Sequence, residues 1–219
     1  CVAVNSGTSA LHIGLLASGI GEGDEVIVPS FTFAATGNSV ALSGAKPVFA
    51  DVDPVTFTLD PASIEASITD KTAAIMPVHL YGLPANMAEI VAIATKHGLK
   101  IFEDCAQAHA ASIDGKHVGT FGTFGAFSFY PTKNMTSGEG GMVAVGDEEV
   151  ARRLRVLARE GDTVARLGGD EFVVIPDQTM SSGAAESFAR RLATMLRERL
   201  AIGGHQITRT VSIGLAVGM

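Results

Sequence analysis

Residues 73–106 read AAIMPVHLYGLPANMAEIVAIATKHGLKIFEDCA and predict a strand, a helix and a second strand in succession. The helix is expected over the NMAEIVAIATKHG segment, where apolar residues recur at helical spacing and Gly98 can end the helix. The apolar segments on either side, AAIMPVHLYG and KIFEDCA, are typical of buried strands. Two such strands joined by a helix indicate a parallel pair within one sheet.

The same alternation continues on both sides of this unit. Towards the N-terminus, Asp60 followed by a proline predicts a helix cap. Because strands and helices alternate with short links, we expect an α/β fold: a mostly parallel sheet with helices on both faces, and a ligand site at the carboxyl ends of the strands. The further strands are expected in VAVN (2–5), EVIVPS (25–30), PVFADVD (47–53), FGAFSFY (124–130) and GGMVAVG (140–146), and the further helices in ALHIGLLASGIG (10–21), FTFAATGNSVALSG (31–44), DPASIEASI (60–68) and EEVARRLRVLARE (148–160).

Composition places the chain among globular proteins. Its 219 residues are 47% hydrophobic, enough for one large domain or two smaller ones. No apolar run approaches the roughly 20 residues of a membrane span, and no signal peptide is recognisable. A formal charge of -7 disfavours nucleic acid as the main partner. The chain begins at Cys1 within an expected strand, so we expect the N-terminus to be a cut rather than a natural start.

Cysteine usage gives no sign of a disulfide or metal framework. Cys1 and Cys105 form neither a disulfide set nor a zinc set, so a reducing, cytoplasmic setting is expected. Cys105 and His109 lie four residues apart, but no third ligand is near them in the sequence, and no metal site is predicted. Asp51 and Asp53, at the end of an expected strand, are interpreted as turn-capping residues.

Lys133 stands in the segment FGAFSFYPTKNMTSGEGG (124–141), between aromatic or small residues and a glycine-rich turn. Desolvation in an apolar pocket disfavours the ammonium form of a lysine, and the neutral amine attacks carbonyls and aldehydes. On this interpretation Lys133 is a Schiff-base lysine. The alternative is an ordinary solvated lysine of a loop.

The turn SGT (6–8), between the first strand and the first helix, is a candidate phosphate site. Backbone N–H groups and the positive end of the helix dipole point at whatever lies over such a turn. The alternative, which this segment alone leaves open, is that Ser6 or Thr8 only caps the helix. Asp104 lies at the carboxyl end of the KIFEDCA strand, the edge at which such sheets bind ligands.

Several segments taken together resemble the DegT/DnrJ/EryC1/StrS family of sugar aminotransferases, in the fold-type I class of pyridoxal-phosphate enzymes. The likeness runs almost continuously from about Val2 to about Leu157, with the motifs in the family's order and at compatible spacing. The segments that carry it are NSGTSALHIGLLASGIGEGDEVIVPSFTFAAT (5–36), PVHLYG (77–82), EDCAQAHAA (103–111), GTFGAFSFYPTKN (122–134) and SGEGGMV (137–143).

The resemblance implies a pyridoxal phosphate site and a role for each matching residue. Lys133 would hold the cofactor as a Schiff base and serve as the base and acid of the amino transfer. Asp104 would pair with the pyridinium nitrogen. The other contacts that it implies are a stacking face from Phe33, a polar neighbour from Gln107, phosphate contacts from Thr8, Ser9 and Ser128, and a turn at 139–141 after the lysine segment.

The implied reaction transfers an amino group from an amino-acid donor, such as glutamate, to a keto-sugar nucleotide. In this family the site is completed across a homodimer, and neither the family's small C-terminal domain nor the loop that reaches the partner's site is recognisable here. We therefore expect residues 1–157 to be the large domain, truncated at its N-terminus. Catalysis is then a separate question from cofactor binding.

The pattern changes near Glu160. GDTVARLGGDEFVVIP (161–176) predicts two strands joined by a tight turn, and TRTVSIGLAVG (208–218) a final strand. We place the domain boundary between about Val150 and Gly161, dividing the chain at 157/158, so that residues 158–219 form a small, partial α+β segment. Between its strands an amphipathic helix is expected over AAESFARRLATMLRERL (184–200), with an apolar face of Ala185, Phe188, Leu192, Met195 and Leu196.

REGDTVARLGGDEFVVI and TVSIGLAVG resemble part of a GGDEF domain, the diguanylate cyclase fold, over about residues 159–218. The family's first strand, which carries another metal-binding aspartate, has no counterpart before Arg159, and one carboxylate makes a poor two-metal site. The resemblance therefore implies nucleotide binding rather than cyclase activity. The implied contacts are a cyclic di-GMP site at Arg159 and Asp162, and a guanine-nucleotide turn at Gly168, Gly169, Asp170 and Glu171, with Asp170 lending a metal-binding carboxylate.

Three interpretations of the whole chain stay open. The first is a domain derived from a pyridoxal-phosphate aminotransferase. The second is a signalling module of the GGDEF type that binds a guanine nucleotide or cyclic di-GMP. The third is a non-functional chimera of two incomplete genes, whose hallmark would be an apolar surface left exposed where each parent's missing elements packed.

Overall fold

The computed structural model describes residues 1–159, 163–168, 171–175, 183, 186–187, 189–190, 200–202 and 205–207. The chain divides into two compact units, residues 1–174 and 175–219. The domain boundary at 157/158 stays a prediction. No helix in the described part of the chain is long and apolar enough to cross a membrane.

The first 159 residues alternate between strands and helices, as the sequence predicts. The strands are β1 (Val2–Val4), β2 (Glu25–Pro29), β3 (Lys46–Ala50), β4 (Thr72–Ile75), β5 (Lys100–Asp104), β6 (Ser112–Ile113), β7 (Lys116–His117), β8 (Phe124–Ser128) and β9 (Gly141–Val145). The helices are α1 (Gly7–Ala17), α2 (Ala35–Leu42), α3 (Pro61–Ser67), α4 (Met87–His97) and α5 (Glu148–Arg159).

Seven of these strands form one sheet in the order β1-β9-β8-β5-β4-β2-β3. The pairs β3-β2, β2-β4, β4-β5 and β5-β8 are parallel, whereas β9 runs antiparallel to both of its neighbours. The mostly parallel sheet is therefore confirmed, with an antiparallel pair at one edge. The carboxyl ends of β2, β4, β5 and β8 meet at one edge of the sheet, because parallel strands point the same way.

Alternate residues of the central strands face two different layers of helices. On one side Val26, Val28 and Phe102 belong to a core that includes side chains of α1, α2 and α5. On the other side Ile27 and Ile101 pack with side chains of α3 and α4. A strand covered on both faces consists almost entirely of apolar residues, which explains why the strands are visible in the sequence as continuous apolar runs.

The helix ends follow local side-chain chemistry. The Asp60 carboxylate accepts hydrogen bonds from the N–H groups of Ala62 and Ser63 at the start of α3. Gly98 ends α4 in the left-handed conformation, with φ at 68°, which a glycine adopts without a steric cost. Both caps are confirmed as the sequence predicts them.

Three short segments differ from the sequence prediction. β4 ends at Ile75, and the predicted strand gives way to a single 3₁₀ turn at Leu80–Gly82. β3 ends at Ala50, where the strand was expected to continue to residue 53. The antiparallel hairpin β6-β7 is absent from the prediction, because two-residue strands carry too few residues to show an alternating pattern.

The GGDEF-like segment contains two hairpins in the described residues. β10 (Thr163–Gly168) and β11 (Glu171–Ile175) pair with each other, which confirms the predicted hairpin. In the second unit, β12 (Leu200–Ile202) pairs antiparallel with β13 (His205–Ile207). Leu200 therefore lies in a strand and not in the predicted helix over 184–200, of which residues 186–187 and 189–190 are helical. The predicted strand 208–218 and the helix's apolar face lie outside the described residues.

Candidate active site

Asp104 ends the central strand β5 and is buried beneath the carboxyl edge of the sheet. Its side chain is held from two sides: the Thr36 hydroxyl donates to Oδ2 at 2.9 Å, and the N–H of Ala106 donates to Oδ1 at 3.1 Å. Thr36 belongs to α2, which follows β2, so the hydrogen bond ties two strand ends together. The carboxylate is consequently fixed in position before any ligand arrives.

Burial raises the pKa of Asp104 above its usual value of 3.8. The Ala106 N–H and the Thr36 hydroxyl oppose that rise by stabilising the carboxylate, and the positive charge of Lys133 opposes it more weakly. A buried carboxylate with a raised pKa and few charge partners is suited to a cationic ligand group, because such a group would relieve the cost of desolvation.

Lys133 lies in the loop between β8 and β9, where its N–H donates to the carbonyl of Tyr130 at 2.9 Å. The residue is half-buried, and its charge acts on both Asp104 and His109. The charge of Lys133 thus reaches a carboxylate that lies 29 residues earlier in the chain. Its role as a Schiff-base lysine stays a prediction.

The N-terminus of α1 abuts the end of β8. A Cβ atom placed on Gly7 would lie 2.6 Å from the Cβ of Ser128, so only a glycine permits this approach. The first N–H groups of a helix have no partner within the helix, and the Gly7 contact puts this end of α1 beside the strand end that carries Ser128. This arrangement fits a phosphate group, which accepts hydrogen bonds from such N–H groups and is attracted by the helix dipole.

The hydroxyls near the α1 N-terminus are not equivalent. Ser6 caps the helix, because its Oγ accepts the N–H of Ser9 at 3.1 Å, and Ser9 Oγ in turn donates to Oδ1 of Asn5. The Ser9 proton is therefore engaged within the turn. Thr8 is exposed and Ser128 is buried with its Oγ accepting the N–H of Tyr130, so both can still donate a hydroxyl proton. Of the predicted phosphate contacts, Thr8 and Ser128 fit that role better than Ser9.

Phe33 and Gln107 flank the same edge. Phe33 is 72% exposed, and its carbonyl accepts the N–H of Thr36, the residue bound to Asp104. The side-chain oxygen of Gln107 accepts the N–H of Tyr81 at 2.8 Å. Because a backbone N–H can only donate, the oxygen of the Gln107 amide must face Tyr81, and its NH₂ group points elsewhere as a donor.

Beneath Asp104, the neighbouring Glu103 is wholly buried and accepts four hydrogen bonds. Oε1 accepts the N–H groups of Phe121 and Gly122 at 2.7 and 2.9 Å, and Oε2 accepts the N–H of Gly119 at 2.7 Å and Nε2–H of His79 at 3.1 Å. His79 Nδ1 accepts the N–H of Ala85 at 3.0 Å, so the proton of the neutral ring must be on Nε2. His79 and Glu103 are therefore fully paired.

His79, Glu103 and Cys105 offer donor atoms within 4.8 Å of one another, an arrangement that can resemble a metal site. The chemistry of these residues does not favour a metal site. Burial raises the pKa of the Cys105 thiol well above its usual value, and the negative charges of Glu103 and Asp104 add to the effect. A metal would need the thiolate, and at Oε2 of Glu103 it would compete with the hydrogen bonds from Gly119 and His79. The cluster is better described as a support for the loops around Asp104.

His109 packs against the rings of Phe127 and Phe129, with ring centroids 5.8 and 5.5 Å away. Both ring nitrogens are buried and lack a hydrogen-bond partner among the described residues. Burial lowers the pKa of His109, the Ser128 main chain opposes this, and Lys133 lowers it further. The lowered pKa favours the neutral ring, which packs against β8 and the residue that follows it.

Sequence reasoning missed Thr36, His79 and Glu103. Thr36 is visible only as a threonine at the start of an expected helix, a position that suggests capping. His79 and Glu103 lie within apolar strand segments, and a buried ionisable residue in such a segment is a usable signal, since it needs partners.

The predicted nucleotide-binding residues are divided between described and undescribed parts of the chain. Arg159 ends α5, Gly168 ends β10 and Glu171 begins β11. Asp162, Gly169 and Asp170 lie outside the described residues. Their proposed contacts stay predictions.

Comparison with known proteins agrees with this geometry. Residues 1–173 match the DegT/DnrJ/EryC1/StrS aminotransferase family, and residues 144–219 match the diguanylate cyclase GGDEF domain. Over 157 residues the chain is 56% identical to UDP-N-acetyl-3-dehydro-alpha-D-glucosamine 3-aminotransferase of Acidithiobacillus ferrooxidans, covering 71% of this chain and 42% of that protein. The chain thus spans less than half the length of this curated relative.

Solved structures lead to the same family. DesV of S. venezuelae is 42% identical with a TM-score of 0.70, over 89% of this chain and 52% of that one. NtdA of Bacillus subtilis, solved with bound cofactor PMP, is 42% identical with a TM-score of 0.66, over 70% of this chain and 34% of that one. The sheet order and the buried carboxylate at the end of β5 are consistent with this family. The chain belongs to the DegT/DnrJ/EryC1/StrS aminotransferase family and carries GGDEF-like sequence at its C-terminal end.

Proposed function

We propose that this chain contains the cofactor-binding part of a pyridoxal-phosphate-dependent sugar aminotransferase, with Lys133 as the residue that binds the cofactor covalently. The observation that carries the proposal is a buried carboxylate, Asp104, at the carboxyl end of β5, on which the charge of the half-buried Lys133 acts. The α1 N-terminus lies against Ser128, at the end of the neighbouring parallel strand β8. Lysine, carboxylate and phosphate cradle are the three groups that such a cofactor needs.

Each residue of the site has a separate task in this proposal. When bound, pyridoxal phosphate supplies an electron sink for the carbon next to the transferred nitrogen. Asp104 holds a proton at the ring nitrogen, since its buried carboxylate gains a cationic partner there. Phe33 offers an exposed face, and Lys133 Nζ can take a proton and return it. The N–H groups of α1, with Thr8 and Ser128, bind the phosphate.

The substrates are proposed to be a keto-sugar nucleotide and an amino-acid donor. The relative from A. ferrooxidans is named for a UDP-linked sugar, and a relative in Micromonospora echinospora is named L-glutamine:2-deoxy-scyllo-inosose aminotransferase. A homodimer is part of the proposal, because exposed apolar side chains crowd the carboxyl edge, where a second copy would complete the site. These side chains include Phe31, Phe33, Phe57, Tyr81 and Tyr130.

We expect the chain, incubated with pyridoxal phosphate and then reduced with borohydride, to carry the pyridoxyl group on Lys133. Lys133→Ala should lose the visible absorbance band of the lysine-bound cofactor, because Lys133 is the lysine whose charge acts on Asp104. The measurement is absorbance before and after reduction, followed by peptide mapping by mass spectrometry.

Lys96→Ala is the matched control, since Lys96 is exposed and paired with Glu65. It lies in the last turn of α4, just before the amino end of β5, whereas Asp104 lies at the carboxyl end of that strand. This variant should retain the absorbance band. Label spread over surface lysines such as Lys46 and Lys96, with an unchanged band in Lys133→Ala, would contradict the proposal.

A second candidate function is cyclic di-GMP binding near Arg159, favoured by the match of residues 144–219 to the GGDEF domain and by the β10-β11 hairpin. Calorimetry should then detect binding that Arg159→Ala abolishes, because an arginine fork suits a phosphate or guanine edge. Arg152→Ala is the control on the same helix, where Arg152 pairs with Glu149. No heat at high ligand concentration would remove this candidate.

A further inference from the structure

Tyr81 has a backbone conformation that a tyrosine rarely adopts. Its φ and ψ are 53° and 22°, in the left-handed region where the Cβ atom crowds the following carbonyl oxygen. The next residue, Gly82, also has a positive φ, at 89°. Glycine is free of this strain, so a tyrosine at position 81 lowers the stability of the fold unless contacts of its side chain offset the cost.

Packing of the Tyr81 side chain does not offset the cost of the strained backbone. Tyr81 is 75% exposed, one of the most exposed large side chains in the described part of the chain. Phe57 is the instructive comparison: its φ is also positive, at 57°, but its ring lies against Phe31 with centroids 5.9 Å apart. The Tyr81 ring therefore does little for the folded state.

The fold uses only the main chain of Tyr81. Its N–H donates to Oε1 of Gln107 at 2.8 Å, and the Leu83 N–H closes the turn on the carbonyl of Leu80 at 3.0 Å. A glycine could make the same hydrogen bond through its own N–H. The aromatic side chain must therefore have a use other than stabilising the fold.

The position of Tyr81 suggests what that use is. Two residues earlier, the N–H of His79 donates to the carbonyl of Asp104 at 3.0 Å, and Gln107 follows Asp104 in the same turn. Hydrogen bonds from the N–H groups of His79 and Tyr81 therefore join this segment to the turn that carries the site's carboxylate. It forms part of the rim of the proposed cofactor site.

We propose that Tyr81 is a specificity-determining residue that stacks its ring on the sugar of the acceptor substrate. A pyranose presents a face of C–H groups, and a rigid exposed aromatic ring is the side chain that packs best against such a face while its hydroxyl stays in water. The hydrogen bond from the Tyr81 N–H to Gln107 places the residue beside the turn that bears Asp104. This inference rests on the proposed function, because it assigns part of the substrate to the same site.

The test combines stability and binding in variants of the whole chain. Tyr81→Gly removes both strain and ring, Tyr81→Ala removes the ring alone, and Tyr81→Phe keeps the ring. The probes are UDP-N-acetylglucosamine, GDP-mannose and dTDP-glucose, each compared by calorimetry with its nucleoside diphosphate. Thermal unfolding and cofactor absorbance are recorded for every variant.

We expect Tyr81→Gly to raise the melting temperature by about 2–4 °C. Tyr81→Gly and Tyr81→Ala should both weaken binding of a sugar nucleotide by about tenfold without changing binding of its nucleoside diphosphate, and Tyr81→Phe should bind as the parent does. Asp114→Gly is the control: Asp114 has φ at 50° and lies in the exposed β6-β7 turn, so it should change neither affinity.

Four results would overturn the inference, and three of them concern the variants. Sugar-nucleotide affinity could be the same in Tyr81→Gly, or fall equally for the nucleoside diphosphate, or change only together with the oligomeric state, which would make Tyr81 a contact between copies. If the parent chain captures pyridoxal phosphate but binds none of the three probes, the inference also fails, while the proposed cofactor site at Lys133 stands. A parent chain that captures no cofactor refutes the proposed function itself.

Discussion

Glu103→Ala should lower the free energy of unfolding by about 3–5 kcal/mol, among the largest losses from any single substitution in the chain. The buried carboxylate accepts three backbone N–H groups and Nε2–H of His79. Alanine leaves all four donors buried and without an acceptor, and each unsatisfied donor costs about 1–3 kcal/mol, although such costs do not add fully. Since a domain of this kind is stable by only about 5–15 kcal/mol, much of that margin would be lost.

Glu103→Gln separates the charge from the hydrogen bonds. The glutamine oxygen can still accept two N–H groups, for instance those of Phe121 and Gly122, but its NH₂ group must then face two further donors, from Gly119 and His79. His79 cannot adapt by moving its proton to Nδ1, because that nitrogen already faces the Ala85 N–H. We therefore expect Glu103→Gln to lose stability as well, though less than Glu103→Ala.

Chemical denaturation, monitored by circular dichroism, measures both variants. The matched control is Glu65→Ala, since Glu65 also binds a histidine, His97 at 2.9 Å, together with Lys96, but on the surface. Water and salt screen that exposed pair, so its loss should change stability only slightly. If Glu103→Ala unfolds at the same denaturant concentration as Glu65→Ala, the buried network does not hold the loops around Asp104.

The sequence sufficed for features that depend on neighbouring residues. The strands are visible because a strand covered on both faces is apolar throughout, and Asp60 and Gly98 end helices through contacts within one turn. Asp104 could be placed at a strand end for the same reason. Lys133 was singled out by the residues around it, and the resemblance then joined Lys133, Phe33 and Asp104 in one site, which strand and helix patterns alone do not connect.

Contacts between distant residues could not be predicted. Thr36 bonds Asp104 across 68 positions in the sequence, and Glu103 accepts hydrogen bonds from His79 and from the separate loop that contains Gly119, Phe121 and Gly122. Such bonds depend on the order and register of the strands, which no local pattern records. Tyr81 misled the prediction differently: an aromatic residue after an apolar run favours a strand, and the turn that prevails here requires a positive φ that tyrosine seldom adopts.

Asp104→Asn should separate function from stability. We expect amino transfer by cofactor-loaded protein to fall by about 10²–10⁴-fold, because a neutral amide cannot hold a proton at the ring nitrogen as a carboxylate does. At neutral pH the same change should stabilise the cofactor-free protein. Asparagine fills the same space and can still bond Thr36 and Ala106, but it avoids burying a negative charge.

The pH dependence gives the sign of the stability effect. Burial raises the pKa of Asp104 in the folded state above its value in the unfolded chain, so the folded protein binds this proton more tightly. The carboxyl therefore costs nothing below the unfolded pKa, and its cost grows as the pH rises to the folded pKa and stays constant above it. The stability gained by Asp104→Asn should appear over that window and be absent in acid.

Asp53→Asn is the matched control, a carboxylate after a strand end with the opposite electrostatics. Its carboxylate accepts the N–H groups of Thr56 and Val55, and these bonds lower its pKa from 3.8. A lowered pKa means that the charged form stabilises the fold above the unfolded pKa, so Asp53→Asn should lose stability at neutral pH and little in acid. Thermal melts between about pH 3 and pH 8 would show the two variants departing from the parent in opposite directions. An Asp104→Asn protein that is less stable than the parent at pH 7 would mean that the carboxylate is retained for the fold; a more stable but inactive one would mean that the chain keeps a buried charge for its cofactor.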